Sequence, residues 1–116
     1  MNDRELLEMA AKAISLKGEW SDYWGFREER PSIDGYGSTF YKWNPLEDDG
    51  DAFRLQVDIG ISIRRGLGIV SADYPHFDPG TFDEYRVICQ SVLDDYRLSA
   101  RRAIVRAAAE IGKSMP

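Results

Sequence analysis

Four carboxylates crowd into five residues in the stretch KWNPLEDDGDAFRLQV, residues 42–57: Glu47, Asp48, Asp49 and Asp51 surround Gly50. Acidic side chains at that density could hold a divalent cation, or share a proton for acid–base work. A calcium loop of the helix–loop–helix kind needs a glycine sixth and a carboxylate twelfth. Placing Gly50 sixth puts Pro45 first and Gln56 twelfth, so the ligand pattern fails. Acid–base catalysis needs one carboxyl held out of water. Acids at a helix start are hydrated, and the helix dipole favours their charged form. The spacing instead predicts a helix start. Asp48 suits the N-cap, where its carboxylate accepts from open backbone N–H groups. Asp49 and Asp51 fall in the first turn, and Leu46 can fold back on the helix like a staple.

Other reactive residues are few. There is one histidine, His76, near Asp73 and Asp78, and one cysteine, Cys89. A zinc site would have to combine those two with carboxylates, an uncommon ligand set. A small hydrolytic site could combine Asp48, Asp49 or Asp51 with His76, but His76 sits in a proline-rich loop and reads as solvated. Cys89 cannot form a disulfide within the chain and reads as a small buried hydrophobe. The glycines of GLG, residues 66–68, lack the lysine and later glycine of a phosphate loop. No catalytic residue, metal or cofactor is expected. The remaining candidate is basic: Arg97, Arg101, Arg102 and Arg106 on the last helix, joined by Arg64 and Arg65, could contact phosphates.

The elements that would position these groups follow from periodicity. Residues 3–17 place Leu6, Leu7, Ala10, Ala11 and Ile14 on a helical stripe. Asn2 caps it, Glu5 completes a capping box, and Gly18 ends it. Arg4, Glu8 and Lys12 lie on its solvent side. Residues 18–45 hold most of the aromatic residues, with short strands at 22–27 and 38–43. Their rings would cover the edge of the core, or cradle a ligand. A middle helix follows Asp48. Residues 60–73 read as a hairpin turning at Arg65-Gly66. Residues 74–82 are a loop. Residues 84–92 read as a strand, with Tyr85, Val87 and Cys89 on one side and Arg86, Ile88, Gln90 and Val92 on the other. A helix from Phe82 is the alternative. Residues 95–112 are the strongest helix, capped by Asp94 or Asp95 and ended by Gly112. Ala100, Ala103, Ile104, Ala107, Ala108 and Ile111 form its apolar face, with Arg102, Arg106 and Glu110 on the solvated side.

A length of 116 residues suits one domain spanning 1–116, with 43% hydrophobic and 30% charged residues. No apolar run approaches a membrane span, and the N-terminus lacks the pattern of a secretion signal. A cytoplasmic protein with no membrane partner is expected. The net charge of -5 opposes nucleic-acid binding. The surplus is uneven: residues 1–93 carry 10 basic and 17 acidic side chains, residues 94–116 carry 5 and 3.

Two blocks carry a resemblance. YKWNPLEDDGDAFRLQV and SARRAIVRAAAEIGKSMP are similar to signature segments of a family of small phage and prophage proteins, the phage ABA-sandwich domain. The first matches at Trp43, Asn44, Pro45, Leu46, Asp48, Asp49, Gly50, Asp51, Ala52, Arg54 and Leu55, and the second from Arg101 to Gly112. ELLEMAAKA near the N-terminus is similar too, while 18–39 and 75–93 show no clear match. The resemblance implies an α+β fold, an α/β/α sandwich of about three helices on an antiparallel sheet of about three strands. It implies a phage or prophage origin, expression in a bacterial host, and no activity. The resulting expectation is a non-enzymatic accessory protein. It would bind a phage or host protein, or a second copy of itself, through a sheet edge or part of the aromatic segment. Weak nucleic-acid binding by the arginine-bearing last helix is the alternative.

Overall fold

A computed structural model describes residues 1–75, 85–92 and 95–116. The described residues form three helices and two three-stranded antiparallel sheets, an α+β fold. The order is α1 (Asp3–Ala13), β1 (Gly18–Ser21), β2 (Gly25–Pro31), β3 (Ser38–Lys42), α2 (Asp49–Ile59), β4 (Ser62–Arg65), β5 (Ile69–Pro75), β6 (Tyr85–Ser91) and α3 (Tyr96–Ser114). The resemblance implies one sheet of about three strands, and there are six in two sheets: the aromatic segment builds a meander of its own, β1-β2-β3. In it 22–24, read as part of a strand over 22–27, is the turn between β1 and β2. The second sheet runs β4-β5-β6. Within the 84–92 segment, Tyr85–Ser91 is a strand and not a helix; Phe82, where the alternative helix would begin, lies outside the described residues.

All three helices open on a side-chain cap. Asn2, Asp48 and Asp95 accept from the N–H groups of Glu5, Gly50 and Arg97, which satisfies donors the helix itself cannot reach. Two helix ends differ from expectation. The first helix stops at Ala13, where Ser15 turns into the left-handed region at φ 54°, so Gly18 starts β1 instead of capping α1. The last helix runs through Gly112 to Ser114. Gly112 is a packing residue: a Cβ there would run into the Met9 carbonyl of α1.

α3 lies at the centre. It packs on α1, on α2 and on the inner face of β4-β5-β6, so its buried set spreads beyond one stripe to Ser99, Ala103, Ile104, Val105, Ala107, Ala108 and Ala109. From the sheet come Val70, Ala72 and Tyr74, all nearly inaccessible. Ile88 packs against the same core from β6, while Val87 and Cys89 are exposed on the opposite face. The alternation along β6 is as read, but Cys89 is not buried. The helices pack on the other face, so the thiol points away from the core, 3.6 Å from the Ser71 hydroxyl. The meander joins the core through Phe26 and Trp43, whose rings meet edge-on at 5.5 Å, and through half-buried Trp20.

Candidate functional site

The acidic stretch folds around Asn44. Its carbonyl accepts from the N–H groups of Glu47 and Asp48, and its side chain accepts from Leu46 N–H at 3.1 Å. The residue before proline avoids helix, so the chain turns here and delivers Asp48 as the cap, with Gly50 N–H donating at 3.0 Å. Leu46 is buried in the same cluster as Ala52 and Leu55. Pro45 and Trp43 are buried beside it.

The three aspartates have separate partners. Asp51 is only 7% exposed. One oxygen accepts the Asn44 backbone N–H at 2.9 Å and the other accepts Arg54 at 2.6 Å. Asp49 is exposed and pairs with Arg101 of α3 at 2.6 Å. Arg101 also donates from Nε to the Leu46 carbonyl at 2.9 Å. The acids thus close the turn and tie α2 to α3. A groove of about 380 Å³ lies beside them, lined by Lys42, Asn44, Glu47, Asp48 and Asp51. Among the described residues, no group of three His, Cys, Asp or Glu side chains is arranged to hold a metal ion. His76 lies outside the described residues, so its relation to this cluster is not described.

The arginines of α3 are mostly engaged inside the molecule. Arg101 is spent on Asp49 and Leu46. Arg102 meets Asp3 at 3.2 Å. Arg106 donates to the Cys89 carbonyl at 3.0 Å and to the Gln90 side chain at 3.2 Å. Glu110 meets Arg86 of β6 at 3.7 Å. The charged side of α3 therefore bridges to α1 and β6 rather than facing only solvent. Arg97 stands in the first turn, its backbone N–H on the Asp95 cap. Arg65 of the hairpin stacks over the Tyr96 ring at 3.7 Å, while Gly68 N–H donates to the Tyr96 hydroxyl. Those contacts, the Gly68 donor first and Arg65 second, hold the phenol below its ordinary value.

The aromatic segment divides in two. Phe26 and Trp43 are buried within the core rather than laid over its edge, while Tyr23, Trp24 and Tyr36 stand in solvent at 82%, 58% and 84% exposure. They sit on the β1–β2 and β2–β3 turns, so they cover no core edge. Every residue of β3 is exposed. Its two rings are nevertheless held: Arg27 lies over Phe40 at 4.8 Å and Arg30 over Tyr41 at 4.4 Å. Ion pairs set those arginines in turn, Arg27 to Glu19 at 2.9 Å and Arg30 to Glu28 at 2.8 Å. Sequence reading located the aromatics and missed this arrangement. The alternating F-R-E-E-R of β2 is its signal, since strand alternation puts Arg27 and Arg30 on opposite faces.

Three comparisons, with protein-family models, with curated proteins and with solved structures, each found no match.

Proposed function

We propose that the domain is a non-enzymatic protein-interaction module whose contact surface is the outer edge of β3 with its two braced rings. The observation that carries this is the presentation of Phe40 and Tyr41. Both are exposed, both are fixed by stacked arginines, and both lie on a strand with an open edge among the described residues. Ordered aromatic rings give large contact area at low entropic cost, and an open strand edge offers backbone hydrogen bonds to another chain. By the resemblance of its WNPLEDDGDA and RRAIVRAAAEIG blocks, the domain is a phage or prophage accessory protein. It would work in the cytoplasm of a bacterial host on a phage or host protein, with the α/β/α sandwich of that family. Among the described residues no helix is long and apolar enough to cross a membrane.

Nucleic-acid binding through Arg97, Arg101, Arg102 and Arg106 is the weaker reading. Three of these guanidinium groups already bond within the chain, and the net charge of -5 repels phosphate. A gel shift at low salt separates the two readings: none is expected with DNA or RNA, and a shift with steep salt dependence would favour the arginines. The interaction reading is tested by affinity capture from infected or lysogenic cells. A specific partner is expected with the parent chain and lost with Phe40→Lys and Tyr41→Lys. Retention by both variants would place the surface elsewhere.

A further inference from the structure

The hydrogen-bond phase of β3 says which of its backbone groups face outward. Ser32 N–H donates to Gly37 O, and Trp43 N–H donates to Phe26 O. With the register Glu28↔Tyr41 and Arg30↔Thr39, alternation assigns Thr39 and Tyr41 to the bonded pairs with β2. The N–H and C=O groups of Ser38, Phe40 and Lys42 then point off the edge. Among the described residues β6 is an edge as well, but its outward Cys89 carbonyl is covered by Arg106. β4 is four residues long and carries Arg64 and Arg65. β3 has neither protection: it is five residues, without proline, and its one charge is the terminal Lys42.

We propose that β3 pairs antiparallel with β3 of a second copy of this chain, about a two-fold axis through Phe40, to give a continuous six-stranded sheet. This rests on the interaction reading above and names its partner. The axis follows from the phase, because pairing all three outward residues requires Phe40 opposite its own symmetry mate. Ser38 then faces Lys42 of the second copy, and Thr39 faces Tyr41. No like charges meet. On the face that carries Tyr41, each row across the seam reads Glu28, Tyr41, then Thr39 and Arg30 of the second copy. Every row so has an acid at one end and a base at the other, and the neighbouring row runs in the opposite sense. On that face side-chain charge is complementary under the two-fold, as an isologous contact requires; on the other face the central row carries Glu29 at both ends, beyond the two rings. On the other face the two Phe40 rings meet, each with its own Arg27 stacked on it. The contact is smaller than the interfaces of permanent dimers, so association depends on concentration.

Sedimentation equilibrium from micromolar to millimolar protein is expected to show a reversible monomer–dimer equilibrium. Phe40→Pro removes one outward donor and no bond to β2, and Phe40→Lys sets two ammonium groups face to face. Both variants should stay monomeric with an unchanged circular dichroism spectrum. The register is read by disulfide trapping in a Cys89→Ser background. Thr39→Cys mixed with Tyr41→Cys should cross-link far faster than either alone, since residue 39 lies opposite 41 and diagonally across, in the neighbouring row, from its own mate. A chain that is monomeric throughout overturns the proposal, as does a dimer that survives both Phe40 variants or cross-links equally in the unmixed controls. A monomer that still captures a partner through Phe40 and Tyr41 removes the second copy alone; loss of that capture as well removes the interaction reading.

Discussion

Asp48 and Asp51 stand three residues apart in one acidic run, yet the structure gives them unequal weight. Asp48 is exposed and caps one backbone donor, so Asp48→Ala should cost about 1 kcal/mol. Asp51 is buried, and removing it leaves the Asn44 N–H without its acceptor and loosens Arg54. Asp51→Ala should cost about 2–3 kcal/mol. Urea denaturation of both variants checks the order; equal midpoints would mean that the Asn44 contact adds nothing. The caps were legible because each acts within three residues of its helix. The role of Asp51 was half legible: its place in the first turn is local, but the Asn44 N–H that its carboxylate accepts lies in the turn ahead of the helix and has no helical signature. The Asp49–Arg101 pair spans 52 residues and has no local signature. Tyr96 gives a prediction in pH. Its folded-state pKa lies below the ordinary value of 10.0, so the folded state favours the phenolate. Stability from this group therefore appears as pH rises through the folded pKa, is complete above the unfolded one, and is lost on the way down. A spectroscopic alkaline titration should show one early tyrosinate, absent in Tyr96→Phe.

Helix ends and helix crossings separate what pattern can show from what packing decides. Glycine near the end of a helical stripe is a sound stop signal, and Gly112 fits it. The helix nevertheless continues to Ser114, and the glycine is there because α1 crosses so closely that a side chain has no room at Gly112. Gly112→Ala in an ordinary helix should stabilise by up to about 1 kcal/mol. Here the obstacle is the Met9 backbone carbonyl, which cannot swing aside, and overpacking typically costs about 1–3 kcal/mol. A lowered melting temperature is therefore the expected result; a raised one would mean that the helices separate without penalty. The strands show the same division. Alternation along β6 and the existence of the 60–73 hairpin were legible, since both are local patterns, but the turn falls at Leu67-Gly68 instead of Arg65-Gly66 and β5 runs on to Pro75, into the stretch read as a loop. The face of β6 that α3 covers was not, so Cys89 was set on the wrong side. The meander was also under-read. Its register depends on pairings between β1, β2 and β3 that glycine-rich turns set, and its rings lack a clear apolar period.

The two sheets are attached to the rest of the molecule very differently, and that sets how the whole should open. β5 and β6 lie under α3, with Val70, Ala72 and Tyr74 inaccessible. The meander is held chiefly by Phe26 and Trp43, with Trp20 beside them, while all of β3 and both turns face solvent. Regions with few buried apolar contacts open at lower free energy than the core. The Thr39 and Tyr41 amides, bonded to β2, should thus exchange with solvent through an opening that leaves α3 and β5 folded. Native-state hydrogen exchange in graded urea measures this. The meander amides should show a lower opening free energy and a shallower urea dependence than Ala72 or Val105, because less surface is exposed. Trp43→Phe should widen the gap, since it weakens the Phe26–Trp43 contact that anchors the meander. Identical free energies and slopes in both sheets would mean one cooperative unit. The braced rings of β3 would then be as rigid as the core. A two-stage result means instead that the contact surface can open on its own, so a partner pairing with β3 would slow exchange in the meander while leaving α3 unchanged.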